Sequence, residues 1–222
     1  MFQLSRIKVM SSKRTIFLFA ISVVAITLVA VFAIQKADFS RQEIPVIAKV
    51  PAFSLQDQHG NTFTEKDLQG KITIWDFFFT RCPGACPIMT KQMAELYKLY
   101  ASSQRVQFVS VTVDPEYDTP QVLREYAAAN GVVDLRWRFL RGSIDSVIAL
   151  SEKGFMLPAE NLPAGHSTKL ILIDQEGQIR GYFSHNDNAS ISVLKTQVRE
   201  LAKPFLAEEA EARKKASESQ QN

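Results

Sequence analysis

Cysteine and histidine are scarce in this chain: 2 Cys and 3 His among 222 residues, beside 9 Gly and 9 Pro. So few cysteines exclude a small domain stapled by disulfides, and so little Gly and Pro excludes a collagen-like or Pro-rich chain. A 46% hydrophobic content excludes disorder and leaves enough apolar mass for one core of ordinary size. No internal repeat is found.

Charge is missing where it matters. The first 14 residues contain no acid but carry Arg6, Lys8, Lys13 and Arg14, and residues 15–35 contain no charge at all. Those 21 uncharged residues are long enough as a helix to cross a hydrocarbon core of roughly 30 Å. They predict one transmembrane anchor at 15–35 after a cytoplasmic leader at 1–14, because basic flanks stay inside. The alternative is a cleaved secretory signal with a small-residue site at Val31-Phe32-Ala33, against which the length of the apolar run argues. Either way the remainder is exported. The formal charge of +3 belongs to the leader, since beyond it 22 basic residues face 23 acidic ones. No basic patch is left to argue for nucleic acid.

Residues 36–50 read as a linker, 51–206 as the working domain and 207–222 as a charged polar tail expected to be frayed or disordered. Short alternating runs around His59-Gly60-Asn61 signal a hairpin. Apolar, β-branched and aromatic runs predict buried strands at 71–79 and 106–113, with a further strand at 137–140. Residues 168–174 and 179–183 predict a closing hairpin. Helices are expected from Pro87 onward, with Met89, Met93, Leu96 and Tyr100 on its buried face, and from Asp118-Thr119-Pro120 to just before Gly131. Two more are expected at 143–153 and 190–206. Strands alternating with helices, then a hairpin and a last helix, predict an α/β sandwich of the thioredoxin type behind the N-terminal transmembrane helix.

Both cysteines fall in Thr80-Arg-Cys-Pro-Gly-Ala-Cys-Pro87, where a central strand passes into a helix, the place where open α/β sheets bind ligands. A helix N-terminus favours thiolate, which is both a nucleophile and a soft metal ligand. Pro83 and Pro87 bias each preceding cysteine away from helical geometry, so neither thiol is expected inside the regular helix. A looped pair with three residues between can close a disulfide or hold one ion, and a purely structural disulfide is the bland alternative. Among the histidines, His59 and His185 lie in polar stretches and read as surface residues. His166 opens a hydrophobic strand after the flexible approach Leu162-Pro-Ala-Gly165, and is the candidate third ligand. Two thiolates and an imidazole suit Cu(I), with Zn²⁺ as competitor; structural zinc usually takes a fourth protein ligand. Met89 is a conceivable soft ligand, but its spacing with Met93 points to core packing.

The chain resembles the Sco/SenC family of copper-binding cytochrome c oxidase assembly proteins in three ordered motifs. These are Thr-x-Cys-Pro-x-x-Cys-Pro at 80–87, Val-Thr-Val-Asp-Pro-Glu-Tyr-Asp-Thr-Pro at 111–120, and His166-Ser-Thr before a hydrophobic strand ending in Asp174. The likeness covers about residues 50–205. It implies a thioredoxin-like fold, copper held by Cys82, Cys86 and His166, Asp114 organising the site from behind the ligands, and delivery of copper to the dinuclear centre of oxidase subunit II. An upstream copper donor and an external thiol reductant are implied as partners, because both cysteines must be reduced to bind metal. Family members often have Gly before the motif Phe-Thr and a polar or acidic residue after Cys-Pro; this chain has Phe78 and Gly84. The main competing function is a thiol-disulfide oxidoreductase that keeps a partner's copper-site cysteines reduced. Against it, redox thioredoxins space their cysteines by two residues and need no histidine. Phe79, three residues before Cys82 where peroxiredoxins carry Thr, argues against a peroxidase, and a purely structural interaction domain is the bland option. The short leader favours a bacterial inner membrane with the domain in the periplasm over a mitochondrial inner membrane.

Overall fold

The computed structural model describes residues 17, 19–29, 31 and 44–219. The chain divides into two units, Met1–Ile44 and Pro45–Asn222. In the first, the described residues 17, 19–29 and 31 are helical and exposed, Phe17, Phe19, Ile26, Leu28 and Val29 among them. Among the described residues no helix is long and apolar enough to cross a membrane. The leader 1–14, the ends of the expected anchor 15–35 and most of the linker lie outside them.

The second unit is built on one eight-stranded sheet. Its strands are β1 Ala48–Lys49, β2 Ser54–Asp57, β3 Thr62–Thr64, β4 Ile72–Phe78, β5 Val106–Thr112, β6 Trp137–Arg141, β7 Lys169–Ile173 and β8 Gln178–Ser184, in the order β1-β8-β7-β4-β5-β6-β2-β3. Strands β4, β5 and β6 are parallel neighbours, as buried Val/Ile/Phe-rich runs connected by helices must be. Antiparallel β7 and β8 extend one side, and the β2–β3 hairpin extends the other. β1 falls inside the expected linker: Ala48 and Lys49 pair with Ile179 and Gln178, so the domain begins earlier than its sequence pattern suggested.

Three α-helices connect strands, α1 Ala85–Leu99, α2 Pro120–Ala129 and α3 Ile144–Ala149, and α4 Asn188–Ser219 follows β8. Thr119 caps α2 by accepting the Val122 N–H, and Pro120 occupies the first turn where its missing N–H costs nothing. The expected helix at 143–153 is instead α3 followed by a π-helical turn, Leu150–Gly154. Helix α4 runs through the segment expected as a disordered tail, whose Ala, Glu, Lys and Arg content has high helix propensity.

Alternation along the strands sorts the core into two layers. Ile74, Asp76 and Phe78 of β4 share a face with Phe108, Ser110 and Thr112 of β5 and with Trp137 and Phe139 of β6. On that face Tyr97 of α1 packs against Phe108 and Trp137 at 5.7 and 5.6 Å, and Tyr126 of α2 packs against Phe78 and Phe139 at 5.4 and 5.9 Å. The opposite face carries Trp75 and Phe77 against Phe155, with ring centroids 4.8 and 5.5 Å apart. The buried side of α1 is Cys86, Met89, Thr90, Met93, Leu96 and Tyr97; Tyr100 is its half-buried C-cap. Met89 is fully buried, the core role its spacing predicted.

One carboxylate interrupts this layer. Asp76 is 1% exposed in the middle of β4, paired in register with Ser110, and its Oδ1 has no hydrogen-bond partner among the described residues. Burial raises its pKa from 3.8 to about 7, partly countered by the Ser110 hydroxyl.

Two predictions follow from the core. Phe108→Ala removes a buried ring that touches Tyr97 and Trp137, and lowers unfolding stability by about 3–5 kcal/mol in a denaturant titration. Asp76 binds a proton in the folded state up to pH of about 7, whereas the unfolded chain releases it near 3.8. The native state therefore holds more protons in that window, and Asp76 makes stability fall as pH rises through it and level off above. Asp76→Asn gains stability over the parent protein as pH goes from 5 to 8; unfolding midpoints that shift in parallel contradict this.

Candidate metal centre

Cys82 lies in the turn that leaves β4, with its N–H donating to the Phe79 carbonyl at 3.3 Å. Cys86 is the second residue of α1 and is 1% exposed. The expectation that neither thiol would enter the helix fails for Cys86. Pro87 is accommodated in the first turn because N–H groups there have no intrahelical partner to lose, so the turn starts at Ala85 rather than at Pro87. The consequence is a fixed difference: Cys86 is held by the helix against the sheet, while Cys82 is half-buried at the rim.

His166 arrives on the flank of β4 opposite β5, just before β7. Its approach is tightly wound rather than flexible: Gly165 donates its N–H to the Asn161 carbonyl at 3.2 Å, and a Cβ there would lie 1.8 Å from the Glu160 carbonyl oxygen. Only glycine fits this turn. Nδ1 of His166 lies 2.9 Å from the Ser167 carbonyl oxygen, which accepts and so fixes the proton on Nδ1. Nε2 is then the free lone pair, and it lies 3.4 Å from the Cys86 sulfur. Phe79 packs edge-on against the imidazole at 5.5 Å.

Cys82, Cys86 and His166 thus converge, one ligand atom from each within 4.8 Å of the others, and both cysteines are free thiols. Their acidities are split. Burial opposes ionisation of Cys82, but the Cys86 sulfur and the backbone amides of Cys86, Gly84 and Ala85 outweigh it and hold the Cys82 thiol below its ordinary value. For Cys86, burial and then the neighbouring Cys82 sulfur push the thiol well up, with Asp76 adding to the effect. Burial lowers the His166 pKa against the opposing pull of the Ser167 and Phe77 carbonyls, so the ring is neutral and able to donate a lone pair.

Asp114 does not reach this cluster. Its carboxylate accepts from Arg81 Nη2 at 2.8 Å and Nε at 3.2 Å, and the Arg81 guanidinium stacks over Tyr117 at 4.1 Å. Asp114 therefore acts on the residue immediately before Cys82. Asp118, read from sequence as part of a helix cap, is fully buried instead; it accepts from the Thr80 amide at 3.2 Å and from the hydroxyls of Thr80 and Thr112. The signal that marks it is a carboxylate three residues past Asp-Pro, next to a capping Thr that already fills the cap position. Asp76 carries a plainer signal, a single acid within an otherwise apolar strand run. Of the remaining histidines His59 is exposed as expected. His185 is buried, not superficial, because it closes the end of β8 with Nδ1 2.8 Å from the Thr168 carbonyl oxygen.

Comparison with known proteins agrees with this geometry. The SCO1/SenC family profile matches residues 42–203. The SCO1 protein homolog of Bacillus subtilis is 30% identical over 162 residues, covering 70% of this chain and 83% of its own. Among solved structures, that of BsSco, described as a Sco-family cytochrome c oxidase assembly protein with a disulfide switch, superposes with a TM-score of 0.64 at 27% identity, covering 73% of this chain and 99% of the other. Copper-bound ScoI of Arabidopsis thaliana superposes with a TM-score of 0.59 at 28% identity, covering 70% and 99%. The fold is the thioredoxin-like fold of these Sco structures. With the profile spanning most of the sequence and the three motif residues brought to one point, the chain belongs to the SCO1/SenC family.

Proposed function

We propose that this protein is a membrane-anchored copper chaperone that holds one copper ion through Cys82, Cys86 and His166 and delivers it to the dinuclear copper centre of cytochrome c oxidase subunit II. The observation that carries the reading is the convergence of two free thiols and one imidazole nitrogen within 4.8 Å. Among the described residues this is the one such cluster, and it lacks the fourth protein ligand that structural zinc usually takes. Two sulfurs and a neutral imidazole are a soft, low-coordinate set suited to Cu(I). Copper in the related ScoI and the oxidase-assembly role of BsSco support the same assignment.

The three ligands divide the work. Cys86 and His166 sit deeper, the one on α1 and the other fixed by Ser167, and provide a retained pair. Cys82 is at the rim with the more acidic thiol, so it is the ligand that an acceptor's sulfur can displace first. The uncharged segment 15–35 anchors the protein in a bacterial inner membrane, with the domain in the periplasm. An upstream donor supplies the copper, and a thiol reductant keeps both cysteines open.

The split thiol acidities favour a second reading, a thiol-disulfide oxidoreductase acting on the acceptor's copper-site cysteines. A low-pKa rim thiol attacks a partner disulfide and a buried thiol resolves the mixed disulfide. The two readings part at His166. Reduced full-length protein in detergent is expected to bind one Cu(I) per chain, and Cys86→Ser or His166→Ala to lower the affinity at least tenfold in competition with a chromophoric Cu(I) chelator, about 1.4 kcal/mol or more. Full affinity in His166→Ala removes it as a ligand. Rapid disulfide reduction by metal-free protein, undiminished in His166→Ala, assigns the activity to the oxidoreductase reading.

A further inference from the structure

We propose that Asp118 is a positioning residue for Cys82: by tying the start of the cysteine loop to the end of β5, it holds the Cys82 sulfur at a separation from Cys86 that suits an ion between them rather than a bond between them. The three converging side chains are referenced to three different parts of the fold. Cys86 is fixed by α1, and His166 by its glycine-dependent turn and Ser167. Cys82 sits in a loop whose two preceding residues, Thr80 and Arg81, both direct their side chains onto the segment 112–118.

Asp118 is the hub of that attachment. Its carboxylate is fully buried and accepts from the Thr80 hydroxyl, the Thr80 amide at 3.2 Å and the Thr112 hydroxyl. The Thr112 oxygen in turn accepts the Asp114 N–H at 3.0 Å, and the Asp118 N–H donates to the Asp114 carbonyl at 2.9 Å. Asp114 then takes Arg81. The frame closes on itself and fixes both residues before Cys82. Asp118 makes no ion pair within 4.0 Å among the described residues; its hydrogen bonds come from neutral donors and the Arg81 guanidinium acts on it only from beyond that distance, an arrangement costly to desolvate unless the geometry it enforces is used. Sulfurs sharing an ion at ~2.3 Å from each stand up to about 4.6 Å apart, whereas a disulfide needs ~2.05 Å. A frame that resists inward movement of Cys82 therefore favours the dithiol and its ion over the disulfide.

The proposal rests on the reading of Cys82 and Cys86 as an ion-binding pair, but one arm of its test needs no copper. Full-length protein in detergent is compared with Asp118→Asn, Thr80→Val and the double variant in two assays, with thermal melting to establish that each is folded. One is Cu(I) affinity against a chromophoric chelator. The other is the equilibrium with glutathione, in which the Cys82 and Cys86 thiols reduce one glutathione disulfide to two glutathione thiols and become a disulfide, two electrons and two protons passing across. Each single variant is expected to bind Cu(I) about tenfold more weakly and to shift the thiol equilibrium about tenfold toward the protein disulfide, about 30 mV for this two-electron couple. The double variant adds little to either single one, since both act on the bond from the Thr80 hydroxyl to Asp118. Unchanged equilibria in folded variants overturn the proposal, even if melting falls, because that is what a merely structural carboxylate does; fully additive effects overturn it as well. Should Asp118→Asn not fold, Thr80→Val decides alone, since it leaves the other two donors in place. Failure of the parent protein to bind Cu(I) overturns the proposed function, while the glutathione arm still decides the role of Asp118.

Discussion

Parallel pairing of β4 with β5 is the constraint on which the rest of this structure depends. Ile72 to Phe78 run beside Val106 to Thr112 in unbroken register, so both strands end at the same edge of the sheet. Two loops distant in sequence are thereby laid side by side: the one carrying Cys82 and the one carrying Asp114 and Asp118, 32 and 36 residues further on. Antiparallel β7 on the other flank of β4 brings the start of its own strand, and with it His166, to the same edge. The cluster is thus a product of strand direction.

Much of this was legible from the residues. Strand periods, proline positions and the Thr119-Pro120 cap mark the elements of the domain to within a residue or two at most boundaries, because each is a local preference that tertiary packing reinforces. The ligand candidates were legible too, since so few thiols and imidazoles compete. What was not legible depends on contacts distant in sequence. The pairing of Ala48 and Lys49 with β8 comes from a partner about 130 residues away, and nothing in a mixed polar stretch announces it. Burial of His185 follows from the same kind of long-range closure. Cys86 enters the helix against its local sequence preference for another reason. A bias against helical geometry before proline is a modest local preference, and seating the first turn of α1 on the sheet overrides it.

The domain keeps two buried carboxylates near its sulfurs and treats them in opposite ways. Asp76 has one oxygen without a partner and is driven toward its neutral form by burial. Asp118 is surrounded by donors and built into the backbone of the cysteine loop. The first sits under the helix that presents Cys86 and makes that thiol harder to ionise. The second sits under the loop that presents Cys82. The asymmetry between the two sulfurs is therefore written into the layer beneath them as well as into their own exposure.

The Ser167 carbonyl has a consequence for proton bookkeeping. By keeping a hydrogen on Nδ1 of a ring that burial already holds neutral, it leaves Nε2 unprotonated before any ion arrives. If the cluster holds copper as proposed, loading displaces no proton from the imidazole, and the protons released come from sulfur, so the dependence of uptake on acidity is carried by the cysteines.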